Sequence, residues 1–333
     1  MSRDMMSAFE LYQPDTVEGA VDLLGRFGEE GWALAGGNDS FDWFKDRVKR
    51  PKYVVDLGGI AALKGIRETQ DGVEIGALTT LTEVERSPVI QGKYKLLSDA
   101  ARRVASPQIR NAGTIGGNVS QDARCWYYRY GVNCYRAGGN TCYADTPEGQ
   151  NREHCLWGAD RCVAVSPSDT APALVALDAT MVIVGKGGQR EVKAEEFFIG
   201  PNIDIERMTV LEDGDVLTAI RLPAEWSGAR FYFEKVADRN TWDFPLVNIA
   251  AAMKVSGAAG SEKIDEIRIA PGAVQCVPRR LTVVEQVVRG QAKTAETASL
   301  AGQSAVRGAT PLNFNHFKIP LLQNLVTRAI RDA

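Results

Sequence analysis

The sequence predicts an α+β protein of two domains, and three observations carry that expectation. Its 333 residues exceed the length at which one hydrophobic core usually keeps growing. The first half reads as short strands and helices in mixed order, and the second as a run of strands followed by a run of helices. The composition, 44% hydrophobic and 24% charged, is that of an ordinary globular chain with enough apolar residues to fill two cores.

Residues 16–27 place Val17, Ala20, Val21, Leu23, Leu24 and Phe27 at helical period, with Asp15 as the expected N-cap and Gly28 as the stop. Strands are expected over 32–35, running into Gly36-Gly37-Asn38, and over 53–57 behind Pro51. Residues 66–77 read as a hairpin turning near Gly72. Helices follow over 82–86 and 96–104, then a loop from Pro107 to Asn118, a helix over 169–177 capped by Asp169, and a strand over 181–184. A second unit is expected to begin near Gly187-Gly188, with strands over 216–222, 231–235, 249–255 and 264–270. A Gly/Ala hairpin loop is expected over 256–261, and helices over 282–288, 294–306 and 321–330 close the chain.

A net charge of −3 without any long Lys/Arg block argues against nucleic acid or an anionic membrane as partner. Charges at Arg3, Asp4 and Glu10 leave residues 1–13 no apolar core for a signal peptide, and no later run is long and apolar enough to span a bilayer. The expectation is a cytoplasmic chain without membrane insertion, or one exported with a partner that carries its own signal.

Gly36-Gly37-Asn38 and Gly116-Gly117-Asn118 repeat one tripeptide. Paired glycines allow positive φ and close approach, so successive backbone N–H groups can converge on an anion such as a pyrophosphate, although a tight turn explains either segment taken alone. Neither matches G-x-G-x-x-G or G-x-x-x-x-G-K-[ST], which disfavours a Rossmann site. Five of the six cysteines form the skeleton Cys125-x8-Cys134-x7-Cys142-x12-Cys155-x6-Cys162. In a reducing compartment such a cluster points to metal, and from spacing alone a structural zinc and an iron–sulfur cluster are equally acceptable. His154 reads as a packed or solvent-facing side chain, and Cys276 as an inert core thiol.

Taken in order, Leu34 to Ser40 (Leu-Ala-Gly-Gly-Asn-Asp-Ser), Ile75 to Thr79 (Ile-Gly-Ala-Leu-Thr), Gln108 to Asn118 (Gln-Ile-Arg-Asn-Ala-Gly-Thr-Ile-Gly-Gly-Asn), Pro167 to Leu174 and Phe233 to Val236 carry a resemblance that spans nearly the whole chain. The chain resembles the FAD-binding subunit of the xanthine dehydrogenase, or molybdenum hydroxylase, family. The resemblance implies a two-subdomain α/β FAD-binding domain of the PCMH type over 1–185. It implies an α+β C-terminal domain of antiparallel sheet plus helices over 186–333, like that of the CO dehydrogenase flavoprotein. It also implies flavin contacts at Leu34, Ala35, Gly36, Gly37, Asn38, Asp39, Ser40 and Phe41, and at Thr114, Ile115, Gly116, Gly117 and Asn118, with backbone amides of both segments on the diphosphate. Asp169 matches the aspartate that holds the flavin, and Val104, Leu217 and Lys235 match positions near the ring or its edge. A lysine there would stabilise the negative charge of reduced flavin.

Relative to that pattern the chain inserts residues 119–165. The insert resembles that of the flavin subunits of hydroxybenzoyl-CoA reductase and of certain bacterial aldehyde oxidoreductases, which implies a [4Fe–4S] cluster held by Cys125, Cys134, Cys142 and Cys162. Cys155, where a small apolar residue is expected, departs from the pattern. Trp126, Tyr127, Tyr128, Tyr130 and Tyr135 are expected to mark a partner-facing surface.

The implied function is an electron-transfer subunit with no catalytic residue of its own. Substrate chemistry would occur on a large molybdenum-cofactor subunit, a small subunit would carry [2Fe–2S] clusters, and this chain would join them to an external electron donor or acceptor. With two histidines the chain has little equipment for acid–base work. A self-sufficient flavin dehydrogenase with a structural zinc insert would have to use His316 or Tyr232 as base. A zinc-stapled binding module without redox activity is the third reading.

Overall fold

The computed structural model describes residues 6–258 and 260–333. Residues 1–5 and 259 lie outside it, and with them part of the readings made for residues 1–13 and for the loop over 256–261.

The N-terminal lobe contains β1 (Glu10–Tyr12), α1 (Val17–Phe27), β2 (Gly31–Leu34), α2 (Asn38–Lys45) and β3 (Tyr53–Asp56). β1 and β2 flank β3, both parallel to it. Thr16, not Asp15, caps α1, its Oγ1 accepting from the Gly19 amide at 3.1 Å. The helix lays Ala20, Val21 and Leu24 against Val55, Leu57 and Ile60.

The second lobe continues with β4 (Ile66–Thr69), β5 (Gly72–Gly76), α3 (Leu81–Arg86), α4 (Pro88–Lys93), α5 (Lys95–Arg102), α6 (Pro107–Ala112) and α7 (Ile115–Val119). After α8 (Trp126–Arg129), in the insert, come α9 (Thr170–Ala176), β6 (Thr180–Gly185), β7 (Gly188–Lys193), α10 (Ala194–Phe197) and β8 (Val216–Pro223). Two expectations are corrected here. The segment from Pro107 to Asn118 is not a loop: Ser106 and Thr114 cap two short helices, and Gly116-Gly117-Asn118 lies inside the second. Helices this short show no full period in a sequence. The expected domain division at 185/186 falls inside an antiparallel sheet of order β4-β5-β8-β6-β7, in which β8 is central and β6 and β7 are a hairpin. Gly187-Gly188 is that hairpin's turn, with Gly188 at φ +94°, and not a linker.

The C-terminal domain is β9 (Arg230–Val236), β10 (Val247–Ser256), β11 (Lys263–Gly272), α11 (Thr282–Val288), α12 (Ala295–Ala305) and α13 (Lys318–Asp332). Its antiparallel sheet, order β11-β10-β9, separates two cores. Along β10, Val247, Ile249, Ala251 and Met253 face α11 to α13, while Ala250 and Ala252 face the first domain, as side chains alternating at period two must. Lys235 lies opposite Asn248 in register, so both belong to the face turned toward the first domain. Among the described residues no helix is long and apolar enough to cross a membrane.

At the start of α13 the fully buried Lys318 donates from Nζ to the carbonyls of Glu153 (2.7 Å), His154 (2.9 Å) and Ala273 (2.7 Å), which ties the last helix to the insert. Lys318→Met removes the donor from the carbonyls of Glu153 and Ala273, and is expected to lower stability by about 2–5 kcal/mol. Urea unfolding checks this, and a loss under about 1 kcal/mol would contradict the clamp.

Candidate functional site: a groove and a cysteine cavity

β2 delivers the chain into Gly36-Gly37, and Gly37 adopts φ +76° as α2 begins at Asn38. The first intrahelical bond runs from the Phe41 amide to the Gly37 carbonyl at 2.9 Å, so the preceding amides of Asn38, Asp39 and Ser40 are the free donors of a helix N-terminus. The two glycine segments touch: a Cβ on Gly36 would stand 2.2 Å from the Ala112 carbonyl oxygen and 2.9 Å from Gly113 Cα. Beside them opens a groove of about 1110 Å³. This exceeds the roughly 300–1,000 Å³ of ordinary small-molecule sites, as an elongated dinucleotide requires.

Of the expected contacts, Ala35, Gly36, Gly37, Asn38, Asp39, Ser40, Val104, Thr114, Gly117, Asn118, Asp169 and Lys235 line the groove. Leu34, Phe41, Ile115, Gly116 and Leu217 do not. Leu34, Ile115 and Leu217 are packed in hydrophobic cores, Gly116 lies against Ala77, and the Phe41 ring meets Phe44 edge-on. The second segment does not offer free amides either. Ile115 and Gly116 donate to the carbonyls of Thr79 and Ala77, Gly117 to Thr114 Oγ1 and Asn118 to the Thr114 carbonyl. An anion cradle rests on the first segment, and the second supplies a glycine surface.

At the groove's inner wall, Lys235 Nζ meets Asp169 Oδ2 at 2.6 Å, and Asn248 Nδ2 donates to Asp169 Oδ1 at 2.9 Å. Burial pushes the Asp169 carboxyl above its ordinary value, while the Lys235 ammonium and the Asn248 amide pull against it. Lys235 also donates to the Arg103 carbonyl at 3.0 Å. The charge of the lysine is therefore matched by Asp169. Nor does Asp169 cap α9; Ser168 Oγ accepts from the Ala171 amide instead. Asn248 was not foreseen, and only its period-two relation to Ala250 and Ala252 could have pointed to it.

The base of the insert is closed on itself. Asn118 Oδ1 accepts from Ser168 Oγ (2.7 Å) and Thr170 Oγ1 (2.6 Å), and the backbones of Arg124 and Val165 pair. The insert is also fastened to the glycine segment. Asp39 accepts from Arg129 Nη2 (2.9 Å), Trp43 Nε1 (3.0 Å) and the Asp122 amide (3.2 Å). Of the five aromatic residues expected at a surface, Trp126 and Tyr130 are exposed, stacked at 6.3 Å, and line the groove. Tyr128 is instead buried against Trp43.

Cys125, Cys134, Cys142 and Cys162 line one cavity in the insert, and Cys155 lies outside it. Its enclosed space is about 10 Å³, and among the described residues no three His, Cys, Asp or Glu side chains stand as a ready metal-ion site. A four-iron cluster would require the thiols to swing back from that space. The donor set nevertheless suits an anionic thiolate cluster. Arg136 lines the same cavity, is 2% exposed, and has Nε and Nη2 without a hydrogen-bond partner among the described residues. Burial pushes the Cys125 thiol up to about 12. The neighbouring Cys276 thiol, then the Arg136 guanidinium, pull the Cys162 thiol below its ordinary value despite its burial. Cys276 thus abuts the cluster of cysteines and does not stand alone as expected. His154 is buried with Nε2 3.3 Å from Cys125 Sγ. His316 is exposed and Tyr232 is hydrogen-bonded to Glu234, and neither lines the groove, so neither of the two residues named as base for a self-sufficient dehydrogenase faces it.

Fold and groove together describe a flavin-binding domain followed by a smaller α+β domain. Residues 7–225 match the FAD binding domain in molybdopterin dehydrogenase, and residues 232–333 match the CO dehydrogenase flavoprotein C-terminal domain; the chain belongs to this family of FAD-binding oxidoreductase subunits. It is 30% identical over 330 residues to the carbon monoxide dehydrogenase medium chain of Hydrogenophaga pseudoflava, covering 98% of this chain and 96% of that one. It is 30% identical over 305 residues to the aldehyde oxidoreductase FAD-binding subunit PaoB of Escherichia coli, covering 90% of each. A solved structure of the H. pseudoflava carbon monoxide dehydrogenase superposes with a TM-score of 0.78 at 29% identity, covering 98% of this chain and 97% of that one.

Gly36→Ala is expected to part the two glycine segments and yield protein with little or no FAD, read as the ratio of flavin to protein absorbance; normal flavin content would refute the cradle. Lys235→Met leaves Asp169 buried without its cation, and is expected to lower stability by about 3–5 kcal/mol in urea unfolding; Asp169→Asn, which keeps an acceptor for Asn248 but leaves the Lys235 ammonium buried without its counter-charge, is expected to cost a comparable amount.

Proposed function

We propose that this chain carries FAD and a [4Fe–4S] cluster as the electron-transfer subunit of a heteromeric molybdenum-dependent oxidoreductase. It would work between a molybdenum-cofactor large subunit with a [2Fe–2S] small subunit and an external redox partner. The observation that carries the reading is that Cys125 belongs to the walls of both the cysteine cavity and the groove, so one residue separates the two. Bound FAD supplies two-electron and one-electron chemistry, and an iron–sulfur cluster supplies one-electron chemistry.

The chain's own residues do the holding. The amides of Asn38, Asp39 and Ser40 face a diphosphate. Gly36 lets the two glycine segments meet, and Gly37 lets the chain turn into α2 at positive φ. The Asp169–Lys235 pair presents a polar but charge-balanced inner wall. The stacked Trp126 and Tyr130 cover apolar surface at the groove and offer a flat face to a partner. A cytoplasmic setting would keep the insert's thiols reduced and available as ligands.

Iron, zinc and acid-labile sulfide analysis of the purified chain, and of single Cys→Ser variants at 125, 134, 142, 155 and 162, tests the reading. The expected result is an iron-loaded parent, loss of iron in the variants at 125, 134, 142 and 162, and retention in Cys155→Ser. Zinc in place of iron throughout would remove the cluster from the reading and leave the flavin role standing.

A further inference from the structure

Arg136 follows Cys134 on a short turn and is enclosed almost completely. Its Nη1 donates to the Glu206 carbonyl at 2.6 Å, and its nearest carboxylate, Asp122, stands 3.5 Å away and is shared with Lys49 at the same distance. The Tyr128 ring lies 5.8 Å from the guanidinium. Nε and Nη2 meet no acceptor among the described residues. Donors of a buried cation left unmatched are costly, and a fold keeps them where something else receives the hydrogens. The side chain lines the cavity that the four thiols share.

We propose that Arg136 is a positioning and potential-setting residue for the insert's iron–sulfur cluster, donating Nε–H and Nη2–H hydrogen bonds to cluster sulfur. The inference rests on the cluster reading above. Four thiolates around a four-iron core leave a net negative charge that grows by one when an electron is accepted from the flavin or a partner subunit. A fixed guanidinium with two N–H···S bonds therefore favours the reduced form and raises the reduction potential. A guanidinium that served only to hold the Glu206 carbonyl would leave the potential untouched.

The test is a redox titration of the assembled complex, followed by electron paramagnetic resonance, on the parent, Arg136→Lys and Arg136→Met, with iron, sulfide and FAD content measured on each. Arg136→Met is expected to reduce the ratio of reduced to oxidised cluster at a fixed potential about tenfold, a downward shift of about 59 mV for a one-electron couple. Arg136→Lys, which keeps the charge and loses the fork of donors, is expected to fall between. Loss of iron from Arg136→Met with FAD retained, together with a lowered potential in Arg136→Lys, supports the same role. A loaded parent whose two variants keep iron at the parent's potential overturns this inference and leaves the cluster reading intact. A parent without iron and sulfide overturns both, and that result is read before any variant is compared.

Discussion

A carboxylate and an ammonium meet out of water where the two domains join, and much of the molecule's arrangement depends on that meeting. Asp169 belongs to the segment that opens α9, and Lys235 and Asn248 to adjoining strands of the C-terminal sheet. Neither charge could be buried alone, because the desolvation penalty is several kcal/mol per ion and only the partner offsets it. Register is fixed by the same demand. A slip of one residue along β9 would turn Lys235 toward α11 to α13 and leave Asp169 unmatched, while exchanging every apolar residue of the strand between two cores. The sheet therefore seats on α9 in one way, and the groove acquires its inner wall from both domains at once.

The opposite side of the groove is held by the insert. Asp39 gathers three donors, two of them from residues 122 and 129, so the helix N-terminus that faces the groove is oriented by the segment that follows the second glycine segment. Arg129 also lies over the Trp43 ring at 4.3 Å, which buries its stem and fixes the fork that grips Asp39. The insert is thus a structural part of the flavin groove and not only a neighbour of it.

Much of this was legible in the sequence, and the rest was not for identifiable reasons. Alternating apolar residues located β9 to β11, and helical period located α1 and α11 to α13. The glycine segments stood out as a repeated tripeptide that a tight turn alone could also explain, and the four cavity cysteines were set apart from Cys155 only by the family resemblance. The helices over 107–119 escaped because neither spans two turns, and the division of domains was misplaced because a Gly-Gly hairpin and a linker look alike without knowledge of which strand pairs with β8. Arg129, Arg136 and Asn248 could not be singled out, since their importance lies in partners 90, 70 and 79 residues away. Such long-range pairings leave no periodic trace.

The grip of Lys318 on the insert also has a meaning in time. Its carbonyl partner at Glu153 precedes it by 165 residues, so on a ribosome adding about 5–20 residues per second the insert exists for roughly ten to thirty seconds before α13 can close over it. During that interval the carbonyls of Glu153 and His154 lack the donor that Lys318 later supplies. Order of synthesis thereby becomes order of assembly, the last helix completing a contact whose other half was made long before.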